Sequence, residues 1–130
     1  MRGIGALALI LAAAPAHAAE PAPGYFVDAV FETTTAQALA RGCAALSVDP
    51  IAAARVTEDV LGRLTADGFT PETLAERMDD PADAIAERQA AFLARHELAD
   101  GAPEAAVCAA GRAEIAEATP LGALLVEVAP

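Results

Sequence analysis

The chain reads as all-α, a small antiparallel bundle of four to five helices stapled by one disulfide, and three observations lead there. A capping side chain followed directly by proline recurs at Asp49-Pro50, Thr70-Pro71 and Asp80-Pro81, and proline's missing N–H costs nothing at the first helical position. Between these starts the apolar residues recur at three-and-four spacing. Nowhere do β-branched residues alternate as a half-buried strand requires. Helices joined by short connections pack as an antiparallel bundle.

The first helix is expected over about Val27–Leu46, with Phe26, Val30, Phe31, Leu39 and Cys43 near one face and Thr33-Thr34-Thr35 weakening its middle. The second starts at Asp49-Pro50, carries Ile51, Val56, Val60, Leu61 and Leu64, and ends where Gly68 can take the left-handed turn. A short third helix follows Thr70-Pro71 to about Met78. The fourth starts at Asp80-Pro81 and reaches roughly Leu98, with Ile85, Gln89, Phe92, Leu93 and His96 as its stripe and Asp100-Gly101 as its stop. The fifth begins near Pro103 and carries Val107, Cys108, Gly111 and Ile115. Thr119-Pro120 interrupts it, and Leu121, Leu124, Leu125 and Val128 form a last apolar turn or short helix.

Residues 1–18 read as a cleavable signal peptide, with Arg2, an apolar run from Ile4 to Ala14, and Ala16-His17-Ala18 as the small-x-small site, cleaved after Ala18. The run has eleven residues, against the roughly 20 that a bilayer-spanning helix needs. No cysteine lies near the cleavage point to carry a lipid. The expectation is a periplasmic or secreted protein that does not insert in the membrane after cleavage. Residues 19–26 would be a mobile Pro-rich leader and residues 27–130 a single helical domain.

Charge narrows the partners. There are 8 basic and 19 acidic residues, no lysine, and Arg2 leaves with the signal, so the mature chain carries a net charge of −12. Such a surface repels phosphate backbones and anionic headgroups, which predicts no nucleic-acid binding and no peripheral membrane attachment. Cationic partners remain open, as does simple solubility.

An exported chain with two cysteines reads first as a disulfide, and Cys43 with Cys108 is the one intramolecular pairing available. Two rivals stay open: a reactive Cys108, its thiolate favoured by Arg112 one turn on, and intermolecular pairing or free thiols. No Cys-x-x-Cys pair supports a redox role, and His96 has no evident part as a base. Gly111 reads as a close-packing position. Arg112 and Glu114 face different ways on a helix, so Arg112 is expected to pair with a carboxylate elsewhere.

Other candidates read as structural. Asp79, Asp80, Asp83 and Glu87 lack the alternating ligands and glycine of a calcium loop and suit a helix start instead. His96 reads as a partly exposed helix-end residue. No nucleophile triad, phosphate-cradling glycine loop or HExxH is present in the sequence. The expectation is therefore a protein that is not an enzyme, with no catalytic, cofactor-binding or metal-ligating residues.

The stretch CAAGRAEIAEATPLGALL, Cys108 to Leu125, resembles the ending of a family of small exported alphaproteobacterial proteins of unknown function. That ending runs C-x-x-G-R-A-E-I and continues through a small-residue turn to L-G-x-L-L or I-G-x-L-L. Looser matches are the aromatic start at Tyr25 and Cys43 late in the first helix. Val107 stands where the family would have an aromatic, and the tail Val126 to Pro130 is acidic and apolar where a basic end is expected. The resemblance implies a helical domain with the Cys43–Cys108 bridge and no catalytic residues to transfer. It also implies a link to the respiratory NADH dehydrogenase, among whose genes the family's own can lie. The resulting expectation is an exported binding or accessory protein with an unknown protein partner in the cell envelope. An acid- or envelope-stress chaperone or inhibitor, and a respiratory accessory factor, are the alternatives.

Overall fold

A computed structural model describes residues 19–129, so the expected signal peptide and its cleavage site after Ala18 lie outside the described residues. Five helices and one tiny sheet follow in the order α1 (Gly24–Gly42), β1 (Leu46–Val48), α2 (Pro50–Ala66), α3 (Leu74–Arg77), α4 (Ala82–Arg95), α5 (Glu104–Ala116) and, after a 3-10 turn over Gly122–Leu124, β2 (Leu125–Glu127). The fold is mostly helical, as the sequence predicts.

Helix α1 is the hub, packed by α2, α4, α5 and β1. Its threonine run does not break it: the Thr33 and Thr34 hydroxyls find acceptors in the carbonyls of Ala29 and Val30, and the packing of α1 against four elements outweighs the small cost of that back-bonding. Helix α1 ends at Gly42 and not at Leu46. Leu46–Val48 instead pairs antiparallel with Leu125–Glu127, Ser47 opposite Val126. This corrects the expected absence of strands; of the apolar turn or short helix expected at the end of the chain, the 3-10 turn over Gly122–Leu124 is present, and Leu125 onward is strand instead. Burying Leu46, Leu124 and Leu125 under the α1–α5 layer is the driving force, and Asp49 N–H to Leu124 O and Val128 N–H to Ala45 O, each 2.9 Å, close the ladder.

Asp49 caps α2 as expected, its Oδ1 accepting from Ile51 N at 2.9 Å and Ala52 N at 3.2 Å, with Pro50 at the first helical position. Gly68, at φ 83°, turns the chain after α2. Helix α4 stops at Arg95 rather than Leu98, and the residue that turns it is Glu97, at φ 51°, where Leu98 N–H reaches back to Leu93 O at 2.9 Å. Helix α5 ends the same way, with Ala118 at φ 52° and Thr119 N–H on Glu114 O. On α4 the inward stripe runs through Arg88, Phe92 and His96, leaving Gln89 and Leu93 exposed.

The segment expected to be a free leader is tied down. Glu20 N–H donates to Arg77 O at 2.8 Å, Asp79 N–H donates to Glu20 O at 2.7 Å, and α1 already begins at Gly24. The main core gathers Leu39, Leu46, Phe92, Leu121 and Leu124 around the two cysteines, and a smaller one joins Leu64, Phe69 and Met78. Cys43 and Cys108 form a disulfide with a Cα–Cα separation of 5.2 Å across 65 positions. In the chain-entropy account a loop of that length stabilises the fold by about 4 kcal/mol. Among the described residues, no helix is long and apolar enough to cross a membrane.

Candidate functional site

The feature that stands apart from the apolar core is a buried carboxylate. Glu114 lies one turn beyond Ala110 and Gly111 on the inward stripe of α5, and its residue exposure is 1%. Gly111 lets α5 descend onto the sheet, since a Cβ there would overlap the Leu46 side chain. That descent carries Glu114 below the surface, to the corner where α4 ends and the 3-10 turn begins.

Its charge is met there by three side chains. His96 Nε2 lies 2.7 Å from Oε1, Arg95 also pairs with Oε1, and the Thr119 hydroxyl donates to Oε2. Because a carboxylate only accepts, the His96 tautomer in this arrangement carries its proton on Nε2. Thr119 Oγ1 in turn accepts from Gly122 N–H at 3.0 Å. Gly122 sits so close under the Glu114 backbone that a Cβ would collide with the Glu114 carbonyl. Burial first, and the neighbouring Arg95 cation second, push the His96 pKa down, while Glu117 pulls it up. His96 is thus a neutral donor at pH 7, its ring tilted against Phe92 at a centroid distance of 4.7 Å. His96 is the helix-end residue the sequence suggests, capping α4 with intermediate exposure, but only 10% of its side chain is exposed.

Above this corner opens a cleft of about 370 Å³ between α1 and α4. Phe31, Phe92, Pro120 and Leu121 form its apolar wall, and Asp28, Glu32, Arg88 and Arg95 stand around it. Arg88 is held by Asp28. Glu32, half-buried, has no ion-pair partner among the described residues. Burial, and secondarily Asp28, raise its pKa.

Of the residues the sequence singles out, Cys43 and Cys108 meet in the disulfide, and no described cysteine is free. Arg112 leaves its own helix and pairs with Glu127 on β2, Nε to Oε1 at 2.7 Å, with both side chains more than half exposed. Asp80 spends its carboxylate on Ala82 N–H at 3.0 Å. Among the described residues, the metal-ligand atoms that converge are those of Cys43, Glu104 and Cys108, and the two sulfurs there are already bonded to each other. Sequence reasoning missed Asp28, Glu32, Arg88, Arg95 and Thr119. Thr119, five places after Glu114 and past the end of the helix, was the one with a local signal: a helix closing on a left-handed residue brings those two positions together.

A match to a family of unknown function, DUF5333, extends over residues 21–126. The chain belongs to that family. The matched span takes in both cysteines, the Glu114 corner and the cleft. No curated protein and no solved structure matches the chain.

Proposed function

We propose that this member of the family is an exported, non-enzymatic binding or accessory protein of the cell envelope. The observation that carries the reading is the engagement of Glu114. Oε1 accepts from Arg95 and His96 and Oε2 from Thr119, so the one deeply buried carboxylate among the described residues is occupied in holding α4, α5 and the C-terminal turn together. Such bonding is a structural duty, which favours a binding role over acid–base chemistry. The disulfide supports an oxidising compartment. The strongly acidic surface supports solubility there and favours partners of opposite charge.

The test is the intact mass of the mature protein recovered from the periplasm, non-reduced, with alkylation under native and denaturing conditions. The expected result is a chain beginning at Ala19 with no alkylatable thiol. A reduced chain retaining residues 1–18 and found in the cytoplasm would refute the reading.

A second reading, an acid-stress chaperone, is favoured by the burial of Glu114 and His96 in one corner together with the exposed Ile51 and Leu61 on α2. Protonation of the buried His96 in acid loosens the corner, adding apolar surface to what is already exposed. It predicts suppressed aggregation of a client protein at pH 3; no suppression removes it.

A further inference from the structure

The cleft above the Glu114 corner holds an unbalanced charge in an apolar setting. Its two arginines are already engaged, Arg88 by Asp28 and Arg95 by Glu114, and Arg55, which shares the neighbouring pocket with Glu32, lies beyond ion-pair distance, which leaves Glu32 without an ion pair. Leaving a half-buried carboxylate without a partner is costly, and that cost is relieved by a ligand that brings a positive charge. The raised pKa of Glu32 has the same origin. Phe31 and Phe92, edge-on at 6.2 Å between ring centroids, supply an aromatic wall beside it. Aromatic rings accept an alkyl or aryl stem and attract a cation.

We propose that this cleft is a recognition site for an organic cation, its ammonium or guanidinium group held by Glu32 with Asp28 beside it and its apolar stem laid against Phe31 and Phe92. The inference rests on the reading of the chain as a binding protein and names the chemistry of what it binds. A volume of about 370 Å³ accommodates an aralkyl amine or one basic side chain of a partner protein. The net charge of −12 on the mature chain draws either one in. The Glu114 corner acts in this as a positioning element, fixing Arg95 so that it neutralises Glu114 rather than Glu32.

The test uses the mature, disulfide-intact protein and NMR titration with named probes at low ionic strength. Phenethylamine is expected to shift the resonances of Phe31, Phe92 and Glu32, with a dissociation constant on the order of a millimolar. Phenethyl alcohol, the same shape without the charge, is expected to bind about tenfold more weakly. Glu32→Gln is expected to reduce amine affinity by about the same factor, and Glu58→Gln, exposed on α2 outside the cleft, to leave it unchanged. A peptide with blocked ends and one internal lysine separates the two sources: tighter binding than phenethylamine assigns the cation to a partner protein, and weaker binding assigns it to a free amine. Equal binding of amine and alcohol, full amine affinity in a folded Glu32→Gln, or no shift from any cation at about 10 mM overturns the site. The broader reading fails separately, on the compartment and thiol state measured by mass.

Discussion

Replacing Glu114 with glutamine removes one charge from the corner while keeping its shape. In the native corner Oε1 serves Arg95 and His96 and Oε2 serves Thr119. Glutamine supplies one accepting oxygen and one donating amide nitrogen. With the oxygen toward His96, the amide faces Thr119, whose hydroxyl must give up its donation and keep only its role as acceptor for Gly122 N–H. The Arg95 side chain is 53% exposed, so its share is screened and contributes under about 1 kcal/mol. His96 is nine-tenths buried and loses a charge-assisted bond for a neutral one, and the Thr119 bond reverses to a neutral one from an amide onto an oxygen that already accepts from Gly122. Together these predict a loss of about 2–3 kcal/mol at pH 7. Urea unfolding with the disulfide intact measures it. Arg112→Gln is the matched control, because its pair with Glu127 has the same 2.7 Å separation but both partners are more than half exposed, and it should cost under about 1 kcal/mol. A Glu114→Gln loss no larger than that of Arg112→Gln refutes the argument that burial gives this corner its weight.

Other outcomes follow from the same structure. Because His96 has a lowered pKa in the fold, the unfolded chain binds the proton first; stability from this group is complete above about pH 6.5 and is lost as pH falls through the folded value. Urea midpoints of the native protein should therefore fall more steeply than those of His96→Gln between pH 7.5 and 5, and parallel slopes would sink the assignment. Replacing both Cys43 and Cys108 with serine should remove about 4 kcal/mol, read from the same unfolding curves, and a loss under 1 kcal/mol would show that the 65-residue span adds little. Ala118→Gly relieves a left-handed backbone at φ 52° and should stabilise the chain by about 0.5–1 kcal/mol, whereas destabilisation would place the residue elsewhere. Gly122→Ala forces a methyl into the Glu114 carbonyl, which is backbone and cannot swing aside, and should cost about 2 kcal/mol or more by thermal or urea unfolding.

Legibility in the sequence followed the range of the forces involved. The start of α2 was legible because its cap and proline, Asp49-Pro50, are adjacent in the chain, whereas after Thr70-Pro71 the helix begins only at Leu74 and after Asp80-Pro81 at Ala82. The disulfide was legible because two cysteines allow one pairing. The strands were not, since Leu46–Val48 and Leu125–Glu127 have three residues each, too few to establish a period, and their pairing spans most of the domain. The docking of Glu20 beside Met78 was hidden for the same reason. Glu114 was visible as part of a distinctive run but not as buried, because a carboxylate is ordinarily a surface residue and its partners lie on another helix and beyond the next turn. Glu32 carried no local signal at all. Its environment is made by Phe31 and by residues brought in from α4 and the C-terminal turn.

The run from Cys108 to Leu125 acquires a physical explanation from these contacts. Cys108 ties α5 to the end of α1, and six residues on, about 9 Å along the helix axis, Glu114 ties it to the end of α4. Gly111, between them, admits the sheet side chains, and Gly122 admits the backbone that carries Thr119 back to Glu114. Cys108, Gly111, Glu114, Thr119 and Gly122 thus all serve to fasten one helix at two points. Two fastenings on one helix restrict its rocking, which favours a preformed cleft beside it, where Phe31, Phe92 and Leu121 lie. Preformed shape matters most to a weak ligand, because ordering a loose site would consume the small free energy that one ionic contact and one apolar stem supply. The C-terminal run and the proposed cation site are therefore parts of the same arrangement: Arg95, Glu114 and Thr119 line the cleft but engage one another, and Glu32 on α1 is left to meet the cation.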